Sequence, residues 1–283
     1  MRAGEDDPFV AENSPSPLRV ENPIADWLSQ LRRSLLPGLV RAADFNLRRG
    51  SQDLRLFEVG RVFLPKTTEG LPEEPLRVGL VWTGVNRPRH WSKSPKEVQL
   101  PDMAGIVEML ILSLRPNTEL RRGPSPLPCF HPARSIQWTS GAGGLAWCGE
   151  IHPALQERLG LSQPLYLGEL DLSRTCEIPL VRARFRPLPR VPMVTRDLSL
   201  VLRPEIPFER LVATLRSVSA PAPVDFELVD RYEGPPLSPS EVSLTVRVML
   251  QPVENTLSDS ETESYRQRIV KALEERLEAV LRK

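Results

Sequence analysis

The stretch VSLTVRVMLQPVENTLSDSE, residues 242–261, decides how the carboxyl-terminal part of this chain folds. Its first half alternates. Val242, Leu244, Val246, Val248 and Leu250 fall on one side; Ser243, Thr245, Arg247, Met249 and Gln251 fall on the other. A side-chain period of two predicts a half-buried strand with one aliphatic and one hydrophilic side. Pro252 stops the strand, and Ser258-Asp259-Ser260-Glu261 is a capping-box pattern that opens a helix. That helix is predicted over 259–281, with an apolar stripe of Tyr265, Ile269, Leu273, Leu277 and Leu281. Upstream, the patterns predict a strand at 195–202, a helix at 207–216 and a strand at 224–232. A β-α-β-β-α order with both helices on one sheet face makes a ferredoxin-like domain, over 193–283. The other face is then open. Asp197, Ser199 and Val201 join it from the first strand; Glu227, Val229 and Arg231 join from the second, provided no bulge changes the phase. No aromatic falls on this face in that phase, which argues against base stacking and leaves backbone contact by arginine and hydroxyls, or plain solvation.

The segment VRARFRPLPRVPM (181–193) carries three prolines and predicts a stiff linker, placed at 183–192. Before it, 18–182 reads as a separate domain, and 1–17 is acidic, Pro/Ser-rich and predicted loose. Within the first domain the expected order is a short strand at 18–20 and a helix at 34–48, then strands at 54–59, 61–64 and 76–84, the last of them central. A helix over 103–114 with Asp102 as N-cap follows, then strands at 135–140 and 145–151 around Gly141 to Gly144, a helix at 153–159 and a strand at 165–172.

The 283 residues carry 37 basic against 36 acidic side chains, so net charge argues for neither nucleic acid nor membrane. No apolar run approaches the roughly 20 residues that cross a bilayer. Three cysteines make no disulfide framework, and a reducing cytoplasm is the simplest setting. Lysine occurs only at 66, 93, 96, 271 and 283; the other basic residues are arginine. Six of these, Arg182, Arg184, Arg186, Arg190, Arg196 and Arg203, accompany a single acid, Asp197. Such an edge contacts phosphates, or is paired and solvated; charge pattern alone does not separate the two.

Cys129, His131, Cys148 and His152 invite a zinc reading, since Cys2His2 sets hold zinc. The Cys129-x-His131 gap is tighter than the usual ligand spacing, and both histidines precede proline, so structural turns explain them better. Gly141 to Gly144 lacks the Gly-Lys-Ser/Thr end of a phosphate-binding loop and reads as a hairpin turn. No residues are assigned as catalytic, and none as metal ligands.

Eight stretches resemble, in order, the C-terminal half of the β chain of bacterial phenylalanyl-tRNA synthetases: 22–50, 53–63, 101–110, HPARS (131–135), GEIHPAL (149–155), PMVTRDLSLVL (192–202), LVDRYEGPPL (228–237) and 243–261. The resemblance implies an α+β chain. Residues 18–182 would be a catalytic-like antiparallel domain of the class II synthetase type, without an active site, packed against a catalytic α chain. Residues 193–283 would be a ferredoxin-fold anticodon-binding domain. The implied assembly is an α2β2 enzyme that joins phenylalanine to tRNA(Phe) in the cytoplasm. It uses ATP and magnesium, with no cofactor held by this chain and no membrane or DNA partner. The expected tRNA contacts are Arg190, Arg196, Ser199, Arg231 and Arg247. The OB-type, editing and magnesium-ligating domains that precede this region in the family are not expected here. The competing reading is a protein-interaction scaffold, or a remnant without independent activity. Exposed apolar side chains in LVWTG (80–84) and LILSL (110–114) would favour the scaffold.

Overall fold

Leu36, Leu39, Val40 and Ala43 recur at helical spacing, and helix α1 (Leu36–Leu47) buries all four, with Pro37 in its first turn where a missing N–H costs least. It lies in the first of two units, Met1–Ala183 and Arg184–Lys283, into which the computed structural model divides. The structure describes residues 7–282 other than 12–13, 26–28, 67–70, 88–89, 142, 182–184, 186–187 and 254. Arg182, Arg184 and Arg186 of the linker cluster, and Ala142 of the glycine turn, therefore lie outside the described residues.

After α1 come β1 (Leu54–Arg61), β2 (Leu76–Thr83), α2 (Leu100–Leu114), β3 (Arg121–Gly123), β4 (Phe130–Ser140), β5 (Gly143–Ile151), α3 (Pro153–Leu159), β6 (Tyr166–Asp171) and α4 (Leu172–Glu177). The strands form one antiparallel sheet in the order β1-β2-β6-β5-β4-β3. β2 is thus second from an edge rather than central; β6 and β5 hold the middle. Helices cover both faces. On one, α1 packs with Val81, Leu165 and Leu167; on the other, Met103, Val107 and Ile111 of α2 pack with Trp82, Trp138 and Leu170. Gly79 marks how closely α1 approaches, since a Cβ there would stand 2.8 Å from Leu39 and 2.9 Å from Leu35. Asp102 is the third residue of α2, not its cap: its carboxylate accepts from the Gln99 N–H at 2.9 Å, the reciprocal half of a capping box.

Val81 and Trp82 are buried within the unit itself, as are Val107 and Ile111. Leu112, within 110–114, is exposed, as are Met109 just before it on α2 and Phe57 and Val59 on the edge strand β1.

The second unit comprises β7 (Val194–Leu202), α5 (Phe208–Arg216), β8 (Val224–Tyr232), β9 (Val242–Leu250), α6 (Asp259–Leu277) and β10 (Val280–Leu281). Its antiparallel sheet runs β10-β7-β9-β8. Val242, Leu244, Val246, Val248 and Leu250 are buried with Leu211 and Leu215 of α5 and Tyr265, Ile269, Leu273 and Leu277 of α6. Each such side chain stabilises by about 1.5–3 kcal/mol when fully buried. Ser258 caps α6, its Oγ accepting from the Glu261 N–H at 3.3 Å while Glu261 accepts from the Ser258 N–H at 2.9 Å. The helix stops at Leu277, short of the expected 281. Glu278 takes the left-handed conformation at φ 53°, and the chain turns back so that Leu281 pairs with Leu200 as a fourth strand. Among the described residues no helix is long and apolar enough to cross a membrane.

Candidate nucleic-acid interface

Both helices of the second unit pack on the Leu244/Val246/Val248 side, so the opposite face is built from the alternate residues. Cross-strand register sets it out in rows. Thr195, Met249 and Asp225 form one end; next come Asp197, Arg247 and Glu227; then Ser199, Thr245 and Asp230. The last row is Val280, Val201, Ser243 and Tyr232.

Tyr232 is on this face because β8 bulges. Leu228 opposes Val246 and Asp230 opposes Thr245, leaving Val229 as an extra residue and reversing the phase beyond it. Arg231 consequently opposes Leu244, on the helix side of the sheet, where it pairs with Glu233. Two expectations are corrected together: Arg231 is not on the open face, and an aromatic residue is. The signal was present in the adjacent apolar pair Leu228-Val229, which breaks strict alternation. Tyr232 is held at both ends. Its hydroxyl donates to the Pro235 carbonyl at 2.7 Å, and the Arg282 guanidinium lies 5.2 Å from its ring centroid. Arg282 follows β10, and its N–H donates to Ser199.

The remaining expected residues fall as follows. Ser199 is half-buried on the face, sharing a hydrogen bond with Thr245 at 3.0 Å. Arg247 is at the centre, but its Nε and Nη2 both donate to the Asp197 carboxylate at 2.9 Å. This fork holds the Asp197 carboxyl below its ordinary value and raises the Arg247 guanidinium. Arg196 opposes Val248, so it points to the helix side at the strand's end, 3.8 Å from Asp259. Arg203 pairs with Glu278. Arg190 is exposed before β7, and no ion pair involves it among the described residues. The face itself carries Asp197, Asp225, Glu227 and Asp230 beside Arg247, so it is not a basic surface.

In the first unit the zinc reading fails on geometry. Cys129 is packed on the α1 side of the sheet and Cys148 on the α2 side, so they cannot share an ion. Burial pushes the Cys148 thiol up to about 12 and raises Cys129 as well, so both stay protonated. His131 and His152 each accept through Nδ1 from the N–H two residues on, at 3.1 and 3.2 Å, and so form turns. No group of three potential metal ligands occurs among the described residues.

These features define an α+β chain: an antiparallel sheet covered by helices on both faces, followed by a ferredoxin-like unit with one hydrophilic sheet face uncovered by helices. Two family models match it. The phenylalanyl tRNA synthetase beta chain CLM domain covers residues 2–172, and the ferredoxin-fold anticodon binding domain covers 189–282. The chain belongs to the phenylalanyl-tRNA synthetase beta chain family.

A phenylalanine–tRNA ligase beta subunit from Symbiobacterium thermophilum is 33% identical over 257 residues, 90% of this chain and 29% of the relative. One from Moorella thermoacetica is 32% identical over 282 residues, 100% of this chain and 34% of the relative. The chain thus spans about a third of the length of the curated relatives it matches. A solved pyrrolysyl tRNA synthetase from Desulfitobacterium hafniense aligns with 53% of this chain and 50% of its own, at TM-score 0.39 and 17% identity, a likeness too slight to add to the sheets described above.

Proposed function

We propose that this chain serves as the carboxyl-terminal part of a phenylalanine–tRNA ligase beta subunit. Its second unit binds the anticodon stem-loop of tRNA(Phe), and its first unit assembles with a catalytic alpha chain in an α2β2 enzyme of the cytoplasm. ATP and magnesium would be used by that partner. The observation that carries the RNA reading is Tyr232, an aromatic ring on a sheet face that, among the described residues, no helix covers. Base–aromatic stacking contributes about 1–3 kcal/mol per base and tolerates any base, since all have a π-face. Arg282 stands beside the ring, and exposed Arg190 precedes β7, so a phosphate backbone can meet these cations rather than the acids of the face; Arg196, on the helix side near Asp259, joins them only at the end of its strand. Ser199 and Arg247 are within the face and are the residues there suited to hydroxyl and base-edge contact. Arg231 belongs to the opposite side and is expected to contribute little.

Titration of the 283-residue chain with tRNA(Phe) at several salt concentrations tests this. Affinity should fall as salt rises, because phosphate contacts release counterions. Tyr232→Ala should weaken binding roughly 5- to 150-fold, the range that corresponds to losing one stacked base. Unchanged affinity in Tyr232→Ala would falsify the stacking role.

A second observation favours a protein partner for the first unit. β1 ends its sheet, and Phe57 and Val59 on it are 73% and 52% exposed. An edge strand with exposed apolar side chains is a template for pairing with another chain. Phe57→Glu with Val59→Glu should abolish co-purification with the alpha chain while leaving tRNA affinity intact. Retained co-purification would rule out this edge as the docking surface.

A further inference from the structure

We infer that the turn His90–Lys93 of the first unit, with the cations beside it, is a contact site for unpaired nucleotides of RNA. Trp91 is at the first inner position of this turn, which the Lys93 N–H closes on the His90 carbonyl at 3.3 Å. The His90 ring leans toward the indole, centroids 5.5 Å apart at 38°. Trp91 is nevertheless 93% exposed, so its ring face is free for a partner. The sequence that carries it, 85–97, has Arg87, Arg89, Lys93 and Lys96 against one acid, Glu97. Arg87, Lys93 and Lys96 are exposed, and no ion pair involves them among the described residues.

The turn stands on a fixed base. Val85 pairs with Glu97, the Asn86 N–H donates to the Lys96 carbonyl at 2.6 Å, and the Val98 N–H donates to the Gly84 carbonyl at 2.9 Å. Asp53 accepts from the Val85 N–H at 2.9 Å, Asn86 Nδ2 donates to Asp102 of α2, and Arg55 of β1 donates to the Asn86 carbonyl. A base held by two elements lowers the ordering cost of presenting the ring. What surrounds the ring selects the partner. From His90 to Lys96 the other residues are exposed and, Pro95 apart, polar or charged. A tryptophan that anchors a protein interface sits among contacts that exclude water, where lysine and serine are depleted. Single-stranded nucleic acid is bound the other way: a base stacks on an aromatic ring while cations meet the phosphates beside it. RNA is the strand to expect in a tRNA synthetase family. In this the inference shares the RNA reading above, but not the sheet face on which that reading rests.

The probe is a mixed-sequence RNA of about 10 nucleotides, single-stranded or annealed to its complement, added to the full 283-residue chain. The Trp91 indole N–H resonance, assigned with Trp91→Phe, should shift saturably with the single strand in the parent chain and in Tyr232→Ala alike, which keeps this site separate from the second unit. In the Tyr232→Ala chain, adding Trp91→Ala should weaken the single strand roughly 5- to 150-fold, the loss of one stacked base, while adding Trp91→Phe should retain most of the affinity. Lys93→Met with Lys96→Met should reduce the slope of log affinity against log salt by about 1.4, the share of two phosphate contacts on a single strand. The duplex should bind there at least several-fold more weakly, because its bases are already stacked on one another. An unmoved Trp91 resonance, equal affinity for duplex and single strand, or full affinity in Trp91→Ala overturns the inference. So does loss of alpha-chain co-purification in Trp91→Ala at unchanged RNA affinity, which would make the turn a protein contact.

Discussion

Arg247 was legible as a face residue from alternation alone, but its engagement was not, because cross-strand pairing depends on register. Register sets Asp197 directly opposite it, and the two-bond fork follows. In the unbound chain the central cation of the face is therefore occupied. Asp197→Asn should release it and raise tRNA affinity several-fold, because the freed guanidinium becomes available to a polyanion and one repelling carboxylate is gone. Filter binding at fixed salt decides this; a loss of affinity would mean that the fork itself is what RNA meets. The pH dependence has a definite sign. The Asp197 carboxyl is depressed by the Arg247 hydrogen bonds, so the contribution of the pair is complete above the ordinary carboxylate value of about 3.9. It is lost only as pH falls through the lowered folded value. A carboxyl-carbon NMR titration should place the Asp197 midpoint below 3.9, and Arg247→Met should return it toward that value.

At the scale of elements, periodicity revealed the longer strands and helices of both units, but not the short β3, α4 and β10 and not how the elements end. The α6 stripe continues at a spacing of four to Leu281, so the sequence reads as unbroken helix. The break is conformational. Glu278 adopts φ 53°, and the Ala279 N–H returns to the Leu273 carbonyl at 3.3 Å, closing the helix without a glycine to announce it. A non-glycine residue in this region carries roughly 1 kcal/mol of strain. Glu278→Gly should therefore stabilise by about 0.5–1 kcal/mol, the exposed Arg203 pair being worth little. Ser258→Ala removes the side chain that accepts from Glu261 N and should destabilise by about 1 kcal/mol. Urea unfolding measures both; a destabilised Glu278→Gly would show that the Arg203 contact outweighs the strain. The β8 bulge was hidden for a related reason. One extra residue, Val229, leaves composition untouched and reverses every side chain after it, which is how Tyr232 escaped a period-two reading.

For the whole molecule, the division into two units follows from where apolar side chains cluster. Leu198 to Ala279 form one core, while the two cores on either side of the six-stranded sheet draw only on residues before 179. Composition could not reveal that the first unit is covered on both faces, since Leu145-Ala146-Trp147-Cys148 of β5 is an unbroken apolar run whose two sides cannot be told apart by period. Its buried Glu169 was equally hidden. The carboxylate accepts from Ser34 Oγ and Leu35 N at 2.8 and 2.6 Å across 135 and 134 residues, a contact no local pattern encodes. Separate cores should unfold as separate cooperative transitions. All five tryptophans precede residue 148, so tryptophan fluorescence reports the first unit alone, whereas far-UV circular dichroism reports both. Ile269→Ala empties space in the second core and Ile111→Ala in the first, each costing about 2–5 kcal/mol. Ile269→Ala should lower a dichroism transition and leave the fluorescence midpoint where it is; Ile111→Ala should move the fluorescence midpoint. A common shift of both signals by either variant would show that the units unfold as one body.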